Sequence, residues 1–94
     1  MPVPMTSRAS VPSDVLIQEL QGESVLLNLR TGRYFGLDEV GTRMWTAMTT
    51  TDSLQAACNS LLDQYDVQSE RLQHDLQDLV EKLLEKEIVE LHDV

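Results

Sequence analysis

The spacing of the hydrophobic residues changes at Asp38, and this change limits the possible folds more than any other feature. Before Asp38, short apolar runs alternate with glycine-containing segments, which is typical of strands joined by tight turns. After it, apolar residues recur every three or four positions, as they do on amphipathic helices. We therefore predict an α+β fold in which a three-stranded antiparallel sheet is followed by three helices.

The predicted strands are short and lie close together in the chain. They cover residues 15–20, 24–29 and 34–37, and the segments between them contain Gly22 and Gly32. Connections this short join neighbouring antiparallel strands. The third strand would then lie at an edge of the sheet unless another segment covers it.

The three helices are predicted from apolar periodicity and from capping residues. Asp38 is a suitable N-cap for the first helix, and either Asp52 or Ser53 for the second. Ser69 is the predicted cap of the third helix, which extends through Lys86. Residues 88–91 then form either a last short strand or a packed extension of the helix.

Length and composition indicate one small domain. A chain of 94 residues has room for a single core. Residues 1–13 contain all three prolines and no hydrophobic periodicity, so they are predicted to be a flexible tail before a domain over residues 14–94. No apolar run approaches the roughly 18 residues of a membrane span, and the chain start lacks signal-peptide features. We expect a cytoplasmic monomer, with a dimer as the alternative.

The charge distribution argues against binding to nucleic acids or anionic membranes. The formal net charge is −9, and residues 51–94 carry eleven acidic against three basic side chains. Such a surface repels phosphate groups. We therefore predict no nucleic-acid partner and no membrane partner.

Side chains that could perform catalysis are few and scattered. Cys58 lies on a predicted apolar helix face, His74 on a polar helix face and His92 near the chain end, so no nucleophile has a base beside it. His74 and Asp78 could together bind a divalent cation, but two exposed ligands make a weak metal site. We predict no enzyme activity, no cofactor and no metal site, which leaves a binding role.

The third strand is the best candidate for such a role. It contains neither Pro nor Lys, the residues that usually protect a sheet edge. An extended peptide could add to it as a further strand. The alternative, favoured when the residues are considered alone, is that the tail or a second copy of the chain covers this edge.

Several segments of the chain match a known family, and this match favours the peptide. They are Val25-Leu26-Leu27, Thr31-Gly32-Arg33-Tyr34-Phe35, Leu37-Asp38-Glu39-Val40-Gly41, Trp45, residues 61–67 and residues 83–89. With these segments the chain resembles the PqqD-like peptide chaperones, also called RiPP recognition elements, which include the stand-alone leader-binding proteins of lasso-peptide biosynthesis. The resemblance covers residues 14–91. Gln68 and Glu87 depart from it, since relatives often have Asp at the first position and Gly at the second.

The resemblance implies a winged-helix-like domain without catalytic activity. Members of the family bind the leader segment of a ribosomally made precursor peptide and present the precursor to modifying enzymes. The leader adds to the third strand and lies in the cleft between that strand and the last helix.

Carried over to this chain, the resemblance implies a peptide site of ten residues. The strand backbone would supply the hydrogen bonds, three leucines would line the cleft, and two charged residues would lie at its rim. We expect one or two of the leucines to touch the peptide and the rest to be structural. In the order just given, these residues are Arg33, Tyr34, Phe35, Gly36 and Leu37, then Leu76, Leu79 and Leu83, then Asp75 and Lys82.

Strand alternation separates the side chains of the third strand. Phe35 and Leu37 share one face and are predicted to point into the core, whereas Tyr34 points to the other side. Arg33 is either an exposed turn residue or a contact for an acidic leader residue.

Several alternatives remain open at this point. The partner enzyme is either the leader peptidase of a lasso-peptide pathway, which we favour slightly, or a radical SAM enzyme of a quinone-cofactor pathway. Strands followed by helices also suit a winged-helix DNA-binding regulator, although the charge opposes it. A plain dimerisation module, in which the edge strands of two copies pair, is the third possibility.

Overall fold

The computed structural model describes residues 3–92 and contains five strands and three helices. A three-stranded antiparallel sheet has the order β2-β3-β4, and a separate two-stranded sheet pairs β1 with β5. In chain order the elements are β1 (Arg8–Ser10), β2 (Val15–Leu20), β3 (Glu23–Asn28), β4 (Tyr34–Leu37), α1 (Glu39–Thr50), α2 (Leu54–Leu62), α3 (Ser69–Glu85) and β5 (Glu90–His92). The predicted fold class, a three-stranded antiparallel sheet followed by three helices, is confirmed.

The turn between β2 and β3 is tighter than predicted. Leu20 pairs with Glu23, so the loop has only two residues. Both of them, Gln21 and Gly22, have positive φ angles of 55° and 85°. This is the backbone of a type I′ turn, whose twist matches that of the flanking strands. As a consequence, β3 begins and ends one residue earlier than predicted.

Two of the three predicted helix caps agree with the structure. The Asp38 carboxylate accepts a hydrogen bond from the Gly41 amide at 2.7 Å, and the Ser53 hydroxyl accepts one from Ala56 at 3.0 Å. The third prediction was wrong, because Ser69 is already helical. Gln68 occupies the cap position and its side chain makes no capping hydrogen bond.

One core joins the inner face of the sheet to all three helices. Leu26 and Leu37 face the helices, and Met44 and Trp45 are buried. A buried hydrogen bond of 2.7 Å between the hydroxyls of Ser24 and Thr42 also joins β3 to α1. Because both hydroxyls have a partner, two polar groups are accommodated in the core without an unsatisfied atom.

The N-terminal segment differs from the predicted flexible tail. Over residues 3–13 the structure shows the strand β1, and Val3 and Ala9 are buried in the core. Carbonyl groups of Met5 and Ser7 accept hydrogen bonds of 2.8 Å from the first amides of α2. A three-residue strand has too few positions to show a hydrophobic period, which is why the sequence did not reveal it. Hydrogen bonds to partners that are distant in sequence order this segment. The predicted boundary at residue 14 is therefore wrong for the described part of the tail.

Candidate functional site

Strand β4 lies at an edge of the three-stranded sheet. Within residues 3–92 it pairs only with β3, in an antiparallel register that sets Phe35 opposite Leu26. The N-terminal segment, which could have covered this edge, pairs with β5 instead. The described part of the chain therefore leaves the outer side of β4 open for another strand.

The hydrogen-bond pattern shows which groups of β4 point outward. The Asn28 amide donates to the carbonyl oxygen of Arg33 at 2.8 Å, so Arg33 faces β3. In an antiparallel pair the bonding direction alternates from one residue to the next. Phe35 and Leu37 therefore also bond toward β3, whereas Tyr34 and Gly36 direct their N–H and C=O groups to the open side. A peptide added here would bond to those two residues.

Beside this edge lies a cleft of about 440 Å³ between β4, the start of α1 and the middle of α3. Its walls are mainly apolar, and the carboxylates of Asp38 and Asp75 are its acidic groups. The cleft is lined by Phe35, Gly36, Leu37, Asp38, Val40, Gly41, Met44, Asp75 and Leu79. Apolar walls next to unpaired strand groups provide both anchoring and backbone bonding for an extended chain.

The structure brings five of the ten predicted site residues together in this cleft. They are Phe35, Gly36, Leu37, Asp75 and Leu79. Phe35 is half-buried and Leu37 is buried, whereas Tyr34 is 69% exposed on the opposite face of the strand, which confirms the predicted alternation.

The three predicted cleft leucines separate into two groups. Leu79 is half-buried and lines the cleft. Leu76 and Leu83 are fully buried in the core and are not among the residues that line it. The burial of Leu76 and Leu83 agrees with the expectation that some of these leucines are structural, and of the three only Leu79 lines the cleft.

The charged residues predicted for the site already have partners. The Arg33 guanidinium donates to the carbonyl oxygen of Glu85 at 2.9 Å. Lys82 forms an ion pair with Asp78 at 3.1 Å. Asp75 lies near two exposed side chains on its own helix, 4.0 Å from Arg71 and 3.7 Å from His74. Of these three predicted site residues, only Asp75 lines the cleft.

Sequence reasoning missed the contribution of α1 to the site. Val40, Gly41 and Met44 line the cleft at helical spacing, and Val40 is exposed. A Cβ on Gly41 would lie 3.2 Å from both Leu37 and Asp38, so glycine allows α1 to start close to the end of β4. The sequence signal for this contribution was Val40, an apolar residue one helical turn before Met44.

The groups considered for chemistry lie apart from this cleft. Cys58 is buried in α2, and burial raises the pKa of its thiol. His74 is largely exposed on α3. Within residues 3–92, no three potential metal ligands lie close enough together to hold an ion. Over the same residues, no helix has the length and apolarity needed to cross a membrane.

The outer face of the sheet is also apolar. Leu16, Leu20, Val25 and Tyr34 are all exposed on it, on the side opposite the helices. A shallow depression of about 560 Å³ lies on this side, between the β2–β3 turn and the end of β4. Strand β4 therefore has an apolar surface on each of its faces.

Comparisons with known proteins agree with this fold. A search of curated proteins finds no match. Among solved structures, "TbiB1 in Complex with the TbiA(beta) Leader Peptide" is 32% identical, with a TM-score of 0.80 over 86% of this chain and 94% of that one. "Lasso peptide synthetase B1 complexed with the leader peptide" is 20% identical, with a TM-score of 0.76 over 90% of this chain and 98% of that one, and shows the same fold.

A family model described as "Coenzyme PQQ synthesis protein D (PqqD)" matches residues 23–89. The matched range contains β3, β4 and all three helices, and therefore every element that forms the cleft. By this match the chain belongs to the PqqD family, as a PqqD-like RiPP recognition element.

Proposed function

We propose that this protein binds the leader segment of a ribosomally synthesised precursor peptide, without catalysing a reaction itself. The observation that carries the proposal is the open edge of β4 directly beside an apolar cleft. TbiB1, which shares 32% of its residues with this chain, forms a complex with a leader peptide.

The proposed complex continues the sheet by one strand. The leader would bond to the backbone of Tyr34 and Gly36, and its inward-facing side chains would enter the cleft between Phe35 and Leu79. Tyr34 would contribute through its backbone, because its side chain lies on the other face.

The energetics are those of a reversible tether. A free leader is disordered and loses conformational entropy when it binds, which costs several kcal/mol. Main-chain hydrogen bonds and two or three apolar anchors offset this cost. The resulting affinity is nanomolar to micromolar, about −12 to −8 kcal/mol. Such a tether raises the effective concentration of the precursor near an enzyme and still permits release.

The partner enzyme is a separate part of the proposal. We propose that the protein delivers the precursor to the leader peptidase of a lasso-peptide pathway, and next in order to a radical SAM enzyme of a PQQ-type pathway. One structure with this fold is a lasso peptide synthetase B1, which supports testing the lasso pathway first.

A titration tests the proposal directly. The purified protein is added to a fluorescently labelled synthetic leader of the precursor encoded beside its gene, and anisotropy is followed. We expect saturable binding with a dissociation constant below about 10 μM. A scrambled peptide of the same composition is the control. Absence of saturation below about 100 μM would contradict the proposal.

The two other functions predict different results. A DNA-binding regulator would retain DNA in a salt-dependent manner, which the net charge of −9 opposes. A dimerisation module would give a dimer in light scattering whose edge does not accept the leader.

A further inference from the structure

The turn that leads into β4 is joined to the end of α3 by one buried side chain. Asn28, the last residue of β3, is only 1% exposed. Its amide nitrogen donates to the carbonyl oxygen of Glu87 at 2.7 Å. Its amide oxygen accepts from the backbone amides of Arg30 and Thr31 at 2.9 and 3.2 Å. One side chain therefore holds the turn with one end and the segment after α3 with the other.

Two further hydrogen bonds connect the same parts of the chain. Arg33, immediately before β4, donates to the carbonyl oxygen of Glu85, the last residue of α3. Arg30 donates to the carboxylate of Glu87 at 3.1 Å. Both arginines are exposed, so these contacts are weaker than the buried amide contact. The connection, called here the Asn28 clamp, consists of Asn28, Arg30, Arg33, Glu85 and Glu87.

The position of the clamp relates it to the peptide cleft. Strand β4 and helix α3 line the cleft together with the start of α1, and the clamp joins β4 to α3 where β4 begins and α3 ends. In the cleft itself, Phe35 and Leu37 of β4 and Leu79 of α3 line the walls. Apolar contacts between such side chains are not directional. The hydrogen bonds are directional, so the clamp is what sets the separation of strand and helix at this end.

We infer that Asn28 is a positioning residue for leader binding: it holds β4 at the distance from α3 that an added peptide strand requires, without touching the peptide. This inference rests on the proposed function and adds to it a residue outside the cleft. Asparagine suits the role because its planar amide offers a donor and an acceptor in opposite directions.

The variant Asn28→Ser separates the hydrogen bonds to the turn from the hydrogen bond to Glu87. A serine hydroxyl can still accept from the turn amides, as in other serine turns, but it is too short to reach Glu87. We expect leader affinity to fall at least tenfold, measured by anisotropy at a temperature where the variant is fully folded. A dissociation constant within twofold of that of the parent protein would overturn the inference.

A matched control distinguishes positioning from a general loss of stability. Ala57→Gly lies in the interior of α2, away from the clamp, and lowers stability through helix propensity. We expect it to leave the dissociation constant within twofold. An equal loss of affinity in this control would assign the effect of Asn28→Ser to stability alone and overturn the inference.

A distance measurement tests the clamp even if no leader binds. Nitroxide labels are placed at Gln18 and His74, which are both exposed, in a Cys58→Ala background. Pulsed electron paramagnetic resonance then measures the distance between the sheet and α3. We expect a broader distance distribution in Asn28→Ser than in the parent protein or Ala57→Gly. An unchanged distribution would overturn the inference, whereas failure of the parent to bind leader would overturn only the proposed function.

If Asn28→Ser does not fold, Asn28→Asp provides the second variant. Aspartate has the same shape and keeps the acceptor for the turn, but its carboxylate cannot donate to Glu87. The same loss of affinity and the same broadening are expected, and parent-like values for both would overturn the inference.

Discussion

Glu87 has a left-handed backbone conformation, with a φ angle of 59°, just after α3. For a residue with a side chain this conformation costs about 1–2 kcal/mol, which is why glycine is common where helices end in this way. The resemblance to relatives places Gly at this position. The carbonyl oxygen of Glu87 accepts the Asn28 amide, so the strained residue also takes part in the clamp.

Replacement of Glu87 by Gly is therefore expected to stabilise the protein. Relief of the left-handed strain exceeds the loss of an exposed ion pair with Arg30, and the backbone carbonyl is retained. We expect the free energy of unfolding to rise by about 0.5–1 kcal/mol. Urea unfolding measures it, and Glu87→Ala, which keeps the strain but removes the ion pair, is the control. A midpoint no higher than that of Glu87→Ala would contradict this explanation.

The buried thiol of Cys58 makes stability depend on pH in the alkaline range. Burial raises its pKa, so the folded protein keeps the proton at a pH where the unfolded chain releases it. Its contribution is complete below the unfolded pKa of about 8.5 and is lost as pH rises through the folded pKa.

Comparison with Cys58→Ala isolates this effect. We expect the free energy of unfolding of the parent relative to the variant to decrease steadily from pH 8 to pH 10.5. Urea midpoints at several pH values provide the measurement. Every other ionisable group is present in both proteins, so its effect cancels in the difference. A constant difference would contradict the proposed burial effect.

Among the structural elements, β4 combines two tasks. Arg33, Phe35 and Leu37 bond toward β3, and Tyr34 and Gly36 are left for a ligand. This division follows from antiparallel hydrogen bonding. It explains how a strand of only four residues can be held in place and still be available.

Gly36 provides a sharp test of the edge. A proline there removes an outward-pointing N–H without affecting a bond to β3, so leader affinity should fall at least tenfold, about 1.4 kcal/mol. Gly36→Ala keeps the N–H, and its added carbon meets no atom within 4 Å, so affinity should stay within about twofold. The measurement is the anisotropy titration, with circular dichroism to show that both variants are folded. Equal affinities for the two variants would show that this amide is not used.

At the scale of the whole molecule, the N-terminal segment belongs to the core and not to the site. It buries Val3 and Ala9, pairs with β5 and bonds to the start of α2. Because it lies away from β4, the edge is open without any rearrangement of the described residues.

Deletion of residues 1–10 should therefore affect stability and leave binding unchanged. Loss of the buried valine and of several hydrogen bonds is expected to lower the free energy of unfolding by about 3 kcal/mol. The leader affinity of the folded protein should stay within about threefold, measured by anisotropy alongside urea unfolding. A tenfold gain in affinity would instead indicate that this segment competes with the leader for β4.

Local sequence patterns determined much of this protein. The change of period at Asp38, the glycines in the turns and the helical stripes were enough to predict the order of the elements from β2 to α3, because each depends on neighbouring residues. Strand alternation likewise predicted that Phe35 and Leu37 point inward and Tyr34 outward. The position of Glu87 at a helix end came from the family resemblance.

Only the tertiary structure decided where the N-terminal segment lies, which leucine faces the cleft and how the cleft is held. Strand β1 depends on β5, about 80 residues away in the chain. Leu76 and Leu79 have the same spacing pattern and differ only in what packs over them. The bond from Asn28 to Glu87 joins residues 59 positions apart. Contacts at such separations depend on the packing of complete elements, and no local pattern of side chains encodes them.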